Sequence, residues 1–158
     1  MFALSIPDPD SPIRQPAQVA GLGLVRACVQ NDDGTSNLIL QGVARVRFPS
    51  FSRSTPLFEG QPIPLVTTGL ESPKVKSLAD EIVSHILGLA RTGFTLPEGV
   101  EDLLKNLDNP DMLADIVAGT FLRDPQRKQE LLETDHAEKR LALLAKTLKE
   151  ELPHPKAM

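Results

Sequence analysis

The hydrophobic pattern of this chain changes period once, at Pro73, and no other feature constrains the fold as much. Before Pro73 apolar residues alternate, as on a strand with one buried face. After it they recur every three or four residues, as on amphipathic helices. Nine of the 14 prolines lie at or before Pro73, where they separate short extended segments and would break longer helices. A chain of 158 residues has room for one compact domain or two packed lobes. The expectation is α+β: a small antiparallel β lobe over residues 1–72, a helical bundle over 73–153, and a tail at 154–158.

The β half centres on Leu24–Phe48. Its first arm alternates, with Val25, Ala27 and Val29 on one face and Arg26, Cys28 and Gln30 on the other. Asp33-Gly34 supplies the turn, since glycine takes the positive φ of a tight hairpin connection. The second arm runs from Asn37 to Phe48, with Gly42 marking a bulge or a close backbone approach. Beyond Gly42, Val43, Arg45 and Arg47 share one side and Ala44, Val46 and Phe48 the other. Phe2–Ile6 and Ile63–Thr68 read as further strands.

Past Pro73 the stripe Val75, Leu78, Ala79, Ile82, Ile86, Leu89 and Ala90 predicts a long helix, with Lys76, Asp80 and His85 on its polar side. Pro97 opens a short helix with Val100, Leu103, Leu104 and Leu107 inward. Asn109-Pro110 caps a third helix carrying Met112, Leu113, Ile116 and Val117 inward, and Asp124-Pro125 caps a fourth over 126–133. The last helix starts near Asp135, with Glu138 as capping-box partner. Its stripe is Ala137, Leu141, Leu144, Leu148 and Leu152, and Pro153 ends it.

Catalytic patterns are missing from the sequence. There is no G-x-x-x-x-G-K-[ST] loop to cradle phosphates and no G-x-S-x-G elbow. Cys28, the single cysteine, has no histidine near it in sequence and reads as a half-buried strand residue. His85, His136 and His154 lack metal-ligand spacing, and Asp8, Asp10, Asp32 and Asp33 lack the calcium-loop rhythm, so turn chemistry accounts for the acidic cluster. No metal or cofactor is expected. The net charge of −4 argues against nucleic acid and anionic lipid, and no apolar run reaches the length of a membrane span. No secretory signal pattern opens the chain, and a lone cysteine agrees with a cytoplasmic location. Arg45, Arg47 and Arg53 are the one arginine cluster of the β half, either a solvated strand face or an anion or RNA contact.

The most suggestive stretch for binding is the one after the hairpin, PSFSRSTPLFEGQP. It sets Phe51, Leu57 and Phe58 among Ser, Pro and Gly, outside any regular element that would bury them. Two readings stand. They form an apolar contact surface for polypeptide, or Phe58 begins a strand and packs on the β core.

Four stretches resemble the N-terminal substrate-binding domain of Lon ATP-dependent proteases. The hairpin from Gly23 is similar to the family's strand–DGT–strand segment, with Leu40 to Arg47 as its V-x-G-x-x-R-x-R-like end. The stretch from Phe94 is similar to its helical "LP…DP..LAD" pattern, at Asn109-Pro110 and Leu113-Ala114-Asp115. The stretch from Arg127 resembles its "KQ.LLE..D...RL" segment, and FALSIPD resembles the strand before the hairpin. The resemblance implies a PUA-like β lobe joined to helices, and a non-catalytic module that recognises unfolded polypeptide or a protein partner, with a role as an adaptor for proteolysis among its uses. It also implies a stand-alone chain without the ATPase and Ser–Lys peptidase regions, since Pro153 and Pro155 stop the last helix. The family's opening strand segment and helix have no counterpart before Phe2: either the chain is truncated relative to its relatives, or its sheet lacks strands and leaves an open edge through which copies could pair as a homo-oligomer. An RNA-binding PUA-like protein and an oligomeric scaffold are the alternatives.

Overall fold

The computed structural model describes residues 2–54 and 57–152. The chain divides into two compact units, Met1–Val66 and Thr67–Met158, and its architecture is α+β, with strands first and five helices after.

The first unit is built on the long hairpin of β2 (Val19–Gln30) and β3 (Ser36–Arg47). Gly34 turns it with φ +83°, as Asp33-Gly34 predicted. Asp33 Oδ1 accepts from the Thr35 N–H at 2.9 Å and from its hydroxyl at 2.6 Å. These bonds hold the Asp33 carboxyl below its ordinary pKa. The register slips between Leu22 and Gly23, whose partners are Ala44 and Gly42. Val43 is therefore the extra residue, and the bulge sits beside the glycine that announced it. β1 (Phe2–Leu4) adds to the near end of β2 and β6 (Ile63–Pro64) to the near end of β3, in the order β1-β2-β3-β6. The far end of the hairpin has no strand beside it among the described residues. Val29, Leu38 and Ile39 are exposed there, and so is Cys28, which corrects its half-buried reading.

Phe2–Ile6 shortens to β1, and Ile63–Thr68 to β6. Thr68 instead makes an isolated parallel bridge to His136 in the second unit. The stretch after the hairpin contains a small antiparallel pair, β4 (Ser52–Ser54) with β5 (Leu57–Glu59), so Phe58 lies in a strand, in keeping with the second of its two readings, while Leu57 stays exposed. The core of this unit is small: Ala20, Val46 and Phe48, with Leu22 and Phe51 packed against them. Arg45 is buried as well, at 7% exposure, so it leaves the surface cluster of arginines; Arg47 and Arg53 remain exposed.

The second unit holds α1 (Pro73–Arg91), α2 (Val100–Lys105), α3 (Pro110–Phe121), α4 (Pro125–Glu133) and α5 (Ala137–Glu151). Its core draws on every helix, from Val75, Ile82, Ile86 and Leu89 of α1 to Leu141, Leu144 and Leu148 of α5. Burial of each such side chain is worth about 1.5–3 kcal/mol before chain entropy is set against it. Leu152 is buried as predicted, while the stop at Pro153 lies outside the described residues. Two inward assignments change. Leu103 and Met112 are exposed, at 43% and 51%, and the buried face of α3 is Leu113, Ala114, Val117, Ala118 and Phe121. The short helix begins at Val100, behind a left-handed Gly99, because Pro97 and Glu98 are taken up in the turn before it.

Arg140 is the unexpected core residue, with 2% of its surface exposed. Its Nε donates to the Leu131 carbonyl at 3.0 Å, and its guanidinium reaches the carboxylates of Asp111 and Asp115. One planar fork thus ties α5 to α3 and α4 with its charge paired twice. The capping box at Glu138 does not form. That carboxylate meets the Ser72 hydroxyl at 3.4 Å and Lys74 Nζ at 3.2 Å, clasping the start of α1 to α5. Between them Gly69, at φ +72°, lies under the imidazole of His136, where a Cβ would come within 3.0 Å of the ring.

Candidate functional site

The first unit contains an open, mainly apolar concavity of about 560 Å³. Its wall is built by the short elements around the hairpin's near end. β1 contributes Phe2 and Ala3, β2 contributes Ala20 and Leu22, and Phe48 and Phe51 follow β3. Leu57 and Phe58 come from β5, so all three residues singled out from the sequence share this one surface. Phe51 stacks on Phe48 with ring centroids 5.2 Å apart, and Phe58 meets Phe51 edge-on at 6.3 Å. Such aromatic packing holds the rings in place. Leu57 stays 61% exposed, so an apolar side chain is presented to solvent at the rim.

Gly60 shapes the floor. A Cβ there would stand 2.8 Å from Phe48 Cδ1 and 2.9 Å from the Ser50 carbonyl. Only a residue without a side chain lets this segment close against Phe48. Phe2, Phe48 and Gly60 are the site residues that sequence reasoning missed. From sequence Phe48 reads as a core residue of the hairpin and Phe2 as a strand residue; the alternation pattern carries no sign that they converge with Phe58. Gly60 offers a weak signal, a glycine directly after an aromatic strand.

The chemistry of the wall is that of contact. Among the described residues Glu59 is its one charged residue. Among the described residues no group of His, Cys, Asp and Glu is placed to hold a metal ion. Asp8 is used locally, its Oδ1 accepting the Asp10 N–H at 2.9 Å. No helix among the described residues is long and apolar enough to cross a membrane.

Residues 6–150 match the family described as the ATP-dependent protease La (LON) substrate-binding domain. The chain belongs to this LON substrate-binding domain family. Similar curated proteins include the Lon protease of Desulfosudis oleivorans, 25% identical over 134 residues, which cover 85% of this chain and 16% of that protein. Lon protease 2 of Bdellovibrio bacteriovorus is 30% identical over 125 residues, 76% of this chain and 15% of that one. The chain thus spans about a sixth of the length of such Lon proteases. Among solved structures, the N-terminal domain of Mycobacterium avium complex Lon protease superposes with a TM-score of 0.65 at 17% identity, over 87% of this chain and 73% of the other. A Lon N-terminal domain protein of Xanthomonas campestris gives 0.53 at 22% identity, over 82% and 67%. These two likenesses establish the LON fold: β sheet first, helices after.

Proposed function

We propose that this LON domain is a non-catalytic recognition module that binds unfolded polypeptide or a protein partner at the concavity lined by Phe51, Leu57 and Phe58. In this reading it presents what it binds to a protease. The observation that carries the reading is the concavity itself. Three aromatic rings, fixed by contact with one another, surround open space large enough for several side chains of an incoming chain. Preformed apolar surface of this kind gains from burial without the entropic cost of ordering its own rings. The role that describes the family, substrate binding in an ATP-dependent protease, supports polypeptide as the ligand class.

The test uses a reduced and alkylated, permanently unfolded carrier protein as ligand. Binding is measured by fluorescence anisotropy for the native chain and for Leu57→Ser combined with Phe58→Ser. Leu57 is exposed and Phe58 only partly buried, so the double variant is expected to keep its far-ultraviolet circular dichroism and lose about tenfold or more in affinity, from removal of two apolar contacts. Unchanged affinity in a folded double variant overturns the site assignment.

A further inference from the structure

We propose that the concavity takes its polypeptide as an added β-strand, paired along the free edge of β1, and favours apolar segments flanked by Lys or Arg. The inference rests on the polypeptide-binding reading above and adds the mode of binding and the class of segment.

Backbone geometry carries the first half. β1 ends the sheet, with β2 on one side and no strand on the other among the described residues. A Cβ built on Gly23 would lie 3.8 Å from the Phe2 carbonyl oxygen, and one on Gly21 4.0 Å from that of Leu4, so both carbonyls turn toward β2. Two residues further, the Ile6 carbonyl accepts from Ala17 N–H at 2.9 Å on the same side. Peptide groups of an extended antiparallel strand alternate sides. The N–H and C=O of Ala3 and Ser5 therefore face the free edge, where no backbone partner meets those of Ser5 among the described residues. Ala3 and Ser5 also line the concavity. Main-chain donors and acceptors thus run along one lip of an apolar hollow whose other wall is Phe51, Leu57 and Phe58. Strand addition joins these two features, with main-chain bonds for affinity and alternate side chains for selectivity.

Charge and size decide the occupant. Glu59, the one charged lining residue, has no ion-pair partner among the described residues, so a cation beside the apolar positions of the segment completes it. Ala3–Ser5 offers an edge of roughly 10 Å, which at the roughly 10 Å depth of a packed sheet is on the order of 100 Å², far short of the roughly 800 Å² per partner that a stable interface between folded copies needs. A short extended segment fits that edge, and a second folded copy does not.

The experiment uses the whole chain and a fluorescein-labelled octapeptide that alternates Leu or Phe with Thr and ends in Arg. Two further peptides carry N-methyl groups on the even or on the odd backbone amides. One of these is expected to bind about tenfold or more weaker, having lost donors to the edge, and the other within about threefold of the parent. Ala3→Pro should weaken the parent peptide similarly with β signal retained, because the lost N–H points outward. Glu59→Gln should weaken the Arg peptide about threefold and leave a norleucine version unchanged. Equal binding of all three peptides, or equal loss in both methylated forms, overturns strand addition. Loss of peptide binding alone, with the unfolded carrier still captured in a Leu57- and Phe58-dependent way, overturns it while the polypeptide-binding reading survives. Failure of both ligands overturns both. A chain that sediments as a dimer and is split by the peptide would show a second copy on the edge and overturn the choice of occupant.

Discussion

At the scale of residues, the chain places polar and small groups where the physics of burial leaves little choice. Arg140 is nearly sealed from solvent, yet both of its carboxylate partners keep some contact with water, at 30% and 49% side-chain exposure. Removing the arginine leaves Asp111 and Asp115 free to rehydrate, but strands the Leu131 carbonyl and opens a cavity between three helices. Arg140→Ala is expected to cost about 2–5 kcal/mol, from the cavity and the unsatisfied carbonyl, read as a lower midpoint in urea unfolding. A drop below about 1 kcal/mol would mean that the fork does not hold the helices together. The buried arginine escapes sequence reasoning because a charge within an apolar stripe resembles a surface residue until its partners are found. Asp111 and Asp115, one turn apart on α3, are that partner signal, legible only once α3 and α5 are known to pack.

At the scale of elements, local sequence signals did best where the side chain closes a bond to its own backbone. Asn109 Oδ1 accepts from the N–H groups of Asp111 at 2.9 Å and Met112 at 3.1 Å, and Pro110 takes the first helical position. Asp124 and Pro125 repeat the device on α4. Asn109→Ala is expected to lower stability by about 1 kcal/mol with no change of fold. Chemical unfolding measures this beside an Asn109→Asp control, which retains a capping oxygen and should stay close to the native chain. The signals failed where a side chain had a better partner elsewhere. Glu138 has the spacing of a capping box, but Ser72 and Lys74 lie within its reach. The stretch after the hairpin reads as loop because Ser, Pro and Gly dominate it; β4 and β5 form there because two short arms fold back on each other, a pairing that composition does not encode.

At the scale of the whole molecule, the two units differ in how much core each possesses. Among the described residues the helical unit buries eighteen apolar residues in one cluster and the strand unit three. Residues 67–152 expressed alone are therefore expected to fold, with helical circular dichroism and a cooperative thermal transition. A broad, non-cooperative melt of that fragment would show that the helical core is not self-sufficient. The strand unit has less to lose by leaving apolar surface open, and the concavity at Phe51, Leu57 and Phe58 is part of that surface.

Sequence alone determined the change of period at Pro73, the hairpin with its glycine turn and bulge, the helix count and the proline-headed caps. Each of these rests on interactions between residues close along the chain, or on the side-chain period of a single element. It also singled out Phe51, Leu57 and Phe58 as apolar residues lacking a regular element to bury them. Tertiary structure decided what surrounds them. Phe2 and Phe48 come to the same hollow from residues far apart in the chain, Gly60 closes its floor, and the outward peptide groups of Ala3 and Ser5 border it. Convergence of that kind depends on which strand ends the sheet and how its register falls. Both are set by long-range pairing, for which a single sequence holds no local signal.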